Sequence, residues 1–250
     1  MNVQEKESYS KGLVISTHSG WSQEFLDKLI PAKNRVGNHP FFIEWAAGRL
    51  SVDHIRYALL NFYPLVAHFP SYMAVNLAKA TAFHQPGVTD TRTWLIQNIK
   101  VEERHLFWYR DWAVGFGLTV DELDRVTPPP AMNAVNHFLW STNYRASLAE
   151  GIAATNLAIE WATGEWTIQV YKGIKSYTDD PSITITPRTM AWLRAHAHYD
   201  DAHPYEAMEL IKRLCDHDPV AQQNALNAAE QGLAYYELAL DACFKYASRS

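Results

Sequence analysis

The chain has 250 residues, 48% of them hydrophobic and 20% charged, with 27 acidic against 22 basic side chains and a net charge of −5. This excludes a disordered chain, and it argues against nucleic acid as the main partner, because phosphate binding needs a basic surface. The opening MNVQEKESYSKG lacks the apolar centre of a signal peptide and no apolar run is long enough to span a bilayer, so the expectation is a cytoplasmic protein without a membrane partner.

In chain order, residues 1–20 read as a flexible N-terminal segment of a single helical domain that fills the chain. SQEFLDKLIPAKNRVGN reads as a helix that starts at a Ser cap and is interrupted at Pro31. HPFFIEWAAGRL is a short helix with Pro40 in its first turn and Gly48 near its end. Ser51 caps VDHIRYALLNFY, and Pro64 and Pro70 are expected to kink or divide the helical run beyond it. A long helix covers about 89–117. Thr119 and Glu122 form a capping box, and TPPP at 127–130 is the clearest break. Helices of about 131–144, 147–176, 187–215 and 219–246 complete the chain, with SYTDDPSITITP as a loop. No alternating β-branched run with a two-residue Gly turn occurs. The fold class expected is an all-α bundle of seven or eight helices.

Three segments carry possible metal chemistry. RAHAHYDDAHPYEA, residues 194–207, holds three histidines and two aspartates. On a helix each residue advances about 100°. With His196 at zero, Asp200 falls near 40° and His203 near −20°, on one stripe, while His198 and Asp201 point elsewhere. His-x3-Asp-x2-His is a spacing by which one helix can supply three nitrogen and oxygen ligands. A solvated polar face is the plain alternative. In NIKVEERHLFWYRDW, Glu102 and His105 stand three apart and share a face, as in helical bundles that hold dimetal centres; Glu103 is rotated outward. In GIAATNLAIEWATGEW, Glu160 lies among small and apolar residues, so it must be neutral, paired or metal-bound; Glu165 is rotated away. Together Glu102, His105, Glu160, His196, Asp200 and His203 can fill two coordination spheres. Mixed imidazole and carboxylate ligation suits iron or manganese, with zinc as the redox-silent alternative. Cys215 and Cys243 lie outside these segments and read as reduced, buried thiols.

Glu-x-x-His, a lone Glu, then His-x3-Asp-x2-His on successive long helices is the pattern of the heme-oxygenase-like dimetal oxidases, which share the TenA and PqqC fold. The chain resembles that family in NIKVEERH, IAATNLAIEWATGEW and HAHYDDAHPYEAMELI, and more weakly in NHPFFIEWAAGRL and FYPLVAHFPSYMAVNLAKA. Within it, the strongest likeness is to the 1-undecene-forming fatty acid decarboxylases (UndA). The resemblance implies a seven-helix bundle and two iron ions on the six residues, one of them labile. It also implies O2 as co-substrate, an external electron donor, and conversion of a medium-chain fatty acid, about lauric acid, to a terminal alkene plus CO2. A homodimer is left open. Phe62, Phe69, Tyr72 and Met73 are the expected walls of the substrate tunnel, with ordinary core as the plainer reading. Trp161 stands where that branch has a small residue, and it would shorten the pocket if it points inward. The same scaffold hosts C–C cleavage of amino acids, N-oxygenation and p-aminobenzoate synthesis, and its metal-free members use a nucleophilic cysteine. The main expectation is therefore the decarboxylase, with an amino acid or amine oxidase as the alternative.

Overall fold

Helical periodicity through nearly the whole chain leaves little that could pair as strands. The computed structural model describes residues 13–198 and 203–246 as helices and loops, with no strand among the described residues. Helix α1 spans Trp21–Gly37, α2 Pro40–Ala46, α3 Val52–Lys79, α4 Val88–Gly115 and α5 Val120–Arg125. Helix α6 spans Pro130–Arg145 and α7 Leu148–Ile152. A π-helical stretch, Ala153–Ile159, joins α7 to α8, Glu160–Gly173, and one 3₁₀ turn, Ile174–Tyr177, comes next. Helices α9 (Ala191–His198), α10 (His203–Leu214) and α11 (Pro219–Tyr246) complete the set. No helix among the described residues is long and apolar enough to cross a membrane.

Local chemistry sets several boundaries as expected. Ser51 Oγ accepts from the His54 amide at the start of α3, and Thr119 and Glu122 close a reciprocal capping box on α5. Three prolines act otherwise. Pro31 lies inside α1, and Pro64 and Pro70 inside α3, without dividing either helix. A proline removes one backbone hydrogen bond and crowds one carbonyl. Each of these helices is packed along its length, α1 on α8 and α11, α3 on α4 and α6, and that packing outweighs the local loss. The segment expected as one helix over 187–215 is described as α9 and α10; residues 199–202 lie outside the described residues. Extra short helices and the π-helical stretch make the elements more numerous than the seven or eight expected.

Residues 13–20, assigned from sequence to a flexible segment, are fastened to α10. The Ser16 amide and hydroxyl donate to Glu209 Oε2 at 3.1 and 2.8 Å, and Arg213 Nη2 donates to the Val14 carbonyl. The centre of the bundle is a run of stacked rings. Trp45 of α2 stacks on Trp112 of α4 (5.5 Å between centroids), and Trp112 on Trp192 of α9 (5.1 Å). Trp192 stacks on Trp166 of α8 (5.8 Å), which lies flat against Phe42 of α2 (4.2 Å). Such pairs contribute about 0.5–1.5 kcal/mol each beyond their buried area.

Helices α2 and α8 touch backbone to backbone at the end of α8. A Cβ on Gly173 would lie 2.0 Å from the Ala46 carbonyl oxygen. Gly173→Ala is expected to cost about 1–3 kcal/mol through overpacking. Urea unfolding would show a lower midpoint at unchanged slope; an unaltered midpoint would mean that this approach is looser than described.

Candidate metal centre

Glu102 and His105 are one turn apart on α4, both buried, and His105 Nδ1 lies 3.1 Å from Glu102 Oε2. Glu160 opens α8 directly after the π-helical stretch. A π turn inside a helical run re-aims the residues beyond it and often marks a functional site. The opening residue of α10, His203, sits between the two acids: its Nδ1 is 3.2 Å from Glu160 Oε2 and 3.8 Å from Glu102 Oε1. Ligand atoms of Glu102, Glu160 and His203 all lie within 4.8 Å of one another. His196 on α9 brings its ring to 4.7 Å from that of His105, and its Nδ1 lies 2.8 Å from the Trp192 carbonyl. Donation from Nδ1 to a carbonyl puts the lone pair on Nε2, the arrangement usual for a metal-ligating imidazole.

Five of the six proposed ligands thus come together from three segments, and Glu160 is within side-chain reach of His203. The sixth, Asp200, lies outside the described residues, as does Asp201. Glu103 is exposed. Glu165 faces α1, where it is paired with Lys33 and accepts from Asn38 Nδ2.

The electrostatics are those of a cation site. Burial works to raise the Glu102 carboxyl, but the imidazoles of His105, His203 and His196 outweigh it and hold the group down at about 2. Burial raises Glu160 to about 7, aided by the charge of Glu102 and opposed by His203 and Asn156. One acid is therefore ionised in the interior and its neighbour is pushed towards the neutral form. A divalent ion would favour the ionised form of both. The oxygen and imidazole donors present suit iron. Asn156, fully buried in the π-helical stretch, donates from Nδ2 to Glu160 Oε1 at 2.9 Å and holds that carboxylate from behind.

A cavity of about 70 Å³ opens at this cluster, with Glu102, Glu160 and His196 in its wall. Phe62 and Phe69, expected in the tunnel, line it. Tyr72 and Met73 do not: both are buried in the core, and Tyr72 donates from its hydroxyl to Asn136 on α6. Trp161 is also outside the lining. One step past Glu160 is about 100° around the helix, which puts Trp161 in a second depression, with Gly164, Pro204 and Tyr205, that meets the cavity at Glu160; its ring lies beneath the Lys33 ammonium. The indole therefore does not meet the condition under which it would shorten the cavity.

Sequence reasoning missed most of the wall: Phe41, Phe42 and Trp45 from α2, Tyr109 and Trp112 from α4, Thr163 and Trp166 from α8, Trp192 from α9 and Tyr236 from α11. A signal existed for some of them. Tyr109 lies seven residues after Glu102, Thr163 three after Glu160, and Trp192 four before His196, all helical same-face spacings from a proposed ligand. Cys215 and Cys243 are free and buried away from the cavity; burial pushes the Cys215 thiol up to about 12 and the Cys243 thiol upward too. Neither has the environment of a nucleophile.

The chain is matched over residues 56–237 by the model of a family described as "Iron-containing redox enzyme". It is 25% identical to the 4-aminobenzoate synthase of Chlamydia trachomatis over 199 residues, 77% of this chain and 80% of that protein. The crystal structure of a TenA homolog from Pseudomonas syringae pv. tomato superposes with a TM-score of 0.83 at 32% identity, over 97% of this chain and 100% of that one. A heme-oxygenase-like domain from Shewanella denitrificans shares the fold at 17% identity, with a TM-score of 0.75 over 90% of this chain and 93% of that one.

In the metal-free protein, folded Glu160 keeps its proton up to about pH 7, whereas the ordinary value is 4.5. Between those values the native state holds the extra proton, so the contribution of this residue to stability falls as pH rises. Glu160→Gln removes that dependence. The stability of the metal-free variant relative to the parent should rise by about 2 kcal/mol between about pH 5 and about pH 7.5. Urea unfolding at both pH values measures this; a pH-independent difference would mean that Glu160 is ionised throughout.

Proposed function

Because the chain belongs to the family of iron-containing redox enzymes, we propose that it is an O2-dependent nonheme diiron oxidase acting on a small aromatic amine or amino acid, by C–C cleavage or N-oxygenation. The observation that carries the reading is the meeting of Glu102, Glu160 and His203 within 4.8 Å, at the edge of a cavity walled by ten aromatic side chains. Iron bound there would supply one-electron chemistry with O2 and open coordination positions, fed by an external electron donor.

The residues of the chain have separable tasks. Glu102, His105, Glu160, His196 and His203 would hold the metal, with Asp200 as the sixth proposed ligand. Asn156 and the Trp192 carbonyl fix the orientation of Glu160 and His196. The aromatic walls exclude water and fix the plane of a ring-shaped body. An arylamine is uncharged near neutral pH and needs no carboxylate partner; accordingly, Glu102 and Glu160 are the only acids among the described residues that line the cavity. Relatives named 4-aminobenzoate synthase support an aromatic amino compound over an aliphatic one.

A second reading is decarboxylation of a medium-chain fatty acid to a terminal alkene, favoured by the apolar surface that Leu59, Leu65, Val66 and Ile159 add to the wall. Reconstitution with Fe(II) under anaerobic conditions, then O2 and a panel of aromatic amines, aromatic amino acids and graded fatty acids, separates the two. The expected outcome is substrate-dependent O2 uptake with a nitrogen- or carbon-oxidised aromatic product in mass spectra and no alkene in the headspace. Alkene from lauric acid would establish the second reading in its place, and O2 uptake with neither class would sink both. His196→Ala is expected to lose iron on gel filtration and at least 100-fold of the O2 uptake, on the scale of lost metal-site groups; full iron retention would contradict the ligand assignment.

A further inference from the structure

Six of the described glycines lie inside helices, and crowding accounts for five of them. A Cβ on Gly37, Gly115, Gly151, Gly173 or Gly232 would come within 3.1 Å of a neighbour. At Gly164, inside α8, the nearest atom would be the His196 carbonyl oxygen at 4.0 Å, so nothing there excludes a side chain. Its backbone is not left-handed either. Glycine is the costliest residue in a helix interior after proline, and neither packing nor φ calls for it here.

What glycine leaves at this position is open space beside Glu160. Gly164 is one turn beyond Glu160, hence on the same face, and both line the second depression, of about 210 Å³, together with Trp161, Glu165 and Tyr205. Of the proposed ligands that are described, Glu160 alone lines both this depression and the cavity. Its side chain is 12% exposed, against 8% for Glu102 and 4% for His203. The two spaces differ in chemistry. The cavity is walled mainly by aromatic and aliphatic side chains, against which a hydrated cation would shed water without compensation. The depression carries the carboxylates of Glu160 and Glu165. The Lys33 ammonium beside it is paired with Glu165 and held over the Trp161 ring, 5.0 Å from the centroid, so two acids there face one base.

We infer that the depression beside Gly164 is the port through which a divalent cation reaches the buried ligands, with Glu160 as the first of them that it meets. The inference rests on the ligand assignment of the proposed oxidase and adds a route to it, separate from the apolar cavity that receives the organic substrate. A route and a site respond differently to damage. An obstacle in a route slows entry and exit by the same factor and leaves affinity unchanged, whereas damage to a site changes affinity.

The test uses the full-length, metal-free protein and Co(II) as probe. Stopped-flow visible absorption follows uptake, and transfer to excess EDTA follows release. Gly164→Cys places a thiol in the depression; Cys215 and Cys243 are fully buried, so a benzyl thiosulfonate labels the introduced thiol of the folded protein. Gly164→Leu makes a similar obstacle with a better helix former and no metal-binding atom, which guards against a labelled protein that fails to fold. In both, the association and dissociation rate constants are expected to fall by about 10-fold at unchanged Kd, an added barrier common to both directions. The same label on Ala234→Cys, exposed in the groove between α1 and α11, should leave both rates as they were. Unchanged rates in both Gly164 variants, weakened affinity at an unchanged association rate, or equal slowing by the label at position 234 would overturn the inference. Glu160→Gln judges the ligand assignment separately. If that variant kept full Co(II) affinity, the assignment would fall and the port with it; lost affinity there with unhindered exchange in the Gly164 variants would refute the port alone.

Discussion

Two carboxylates within reach of one imidazole, Glu102 buried and Glu160 largely so, are the constraint around which this molecule is built. An ionised carboxylate in a dry interior is tolerable only with opposite charge and hydrogen bonds around it. Glu102 has His105 one turn away, His196 nearby and His203 across from it. Glu160 has His203 on one oxygen and Asn156 on the other. To bring these groups together, α4, α8, α9 and α10 must converge, and the π-helical stretch before Glu160 sets the position from which that side chain reaches the others. The same convergence gathers carboxylate and imidazole groups that could hold a metal ion, in a chain whose family is that of iron-containing redox enzymes.

The second organising feature is aromatic. A protein that places a charged cluster in its core needs rigid walls to hold it, and stacked rings supply them with few rotatable bonds. The run from Trp45 through Trp112 to Trp192 ties α2, α4 and α9 together and ends against His196. The geometry of the proposed ligands and the cavity shape are therefore coupled: moving α4 or α9 displaces a proposed metal ligand and a wall together. Fold alone would not single out one reaction from the several that such scaffolds host; the cavity lining is the part specific to this chain.

Much of this was legible in the sequence, for local reasons. Ser51 and the Thr119–Glu122 box mark helix starts because a short polar side chain there satisfies amides that have no partner inside the helix. Glu102 and His105 could be paired by their spacing, and Glu160 could be singled out as an acid amid apolar neighbours. Pro31 does not interrupt α1, and Pro64 and Pro70 do not divide α3, because a rule about one hydrogen bond carries no information on the packing along these helices that overrides it. Tyr72 and Met73 misled for a different reason. Each was chosen by proximity in sequence to a tunnel or a ligand, yet about 100° of helix per residue separates neighbours in the chain from neighbours in space.

The amino-acid sequence by itself determined the helical class, most helix boundaries and the identities of the chemically capable side chains, because all of these depend on contacts within a few residues. Only the tertiary structure decided that His203 stands between Glu102 and Glu160, and that the cavity is walled by α2, α4, α8, α9 and α11 as well as the expected α3. Those facts depend on which helix faces meet across the bundle. Close packing of whole helices fixes that choice, and no local spacing encodes it.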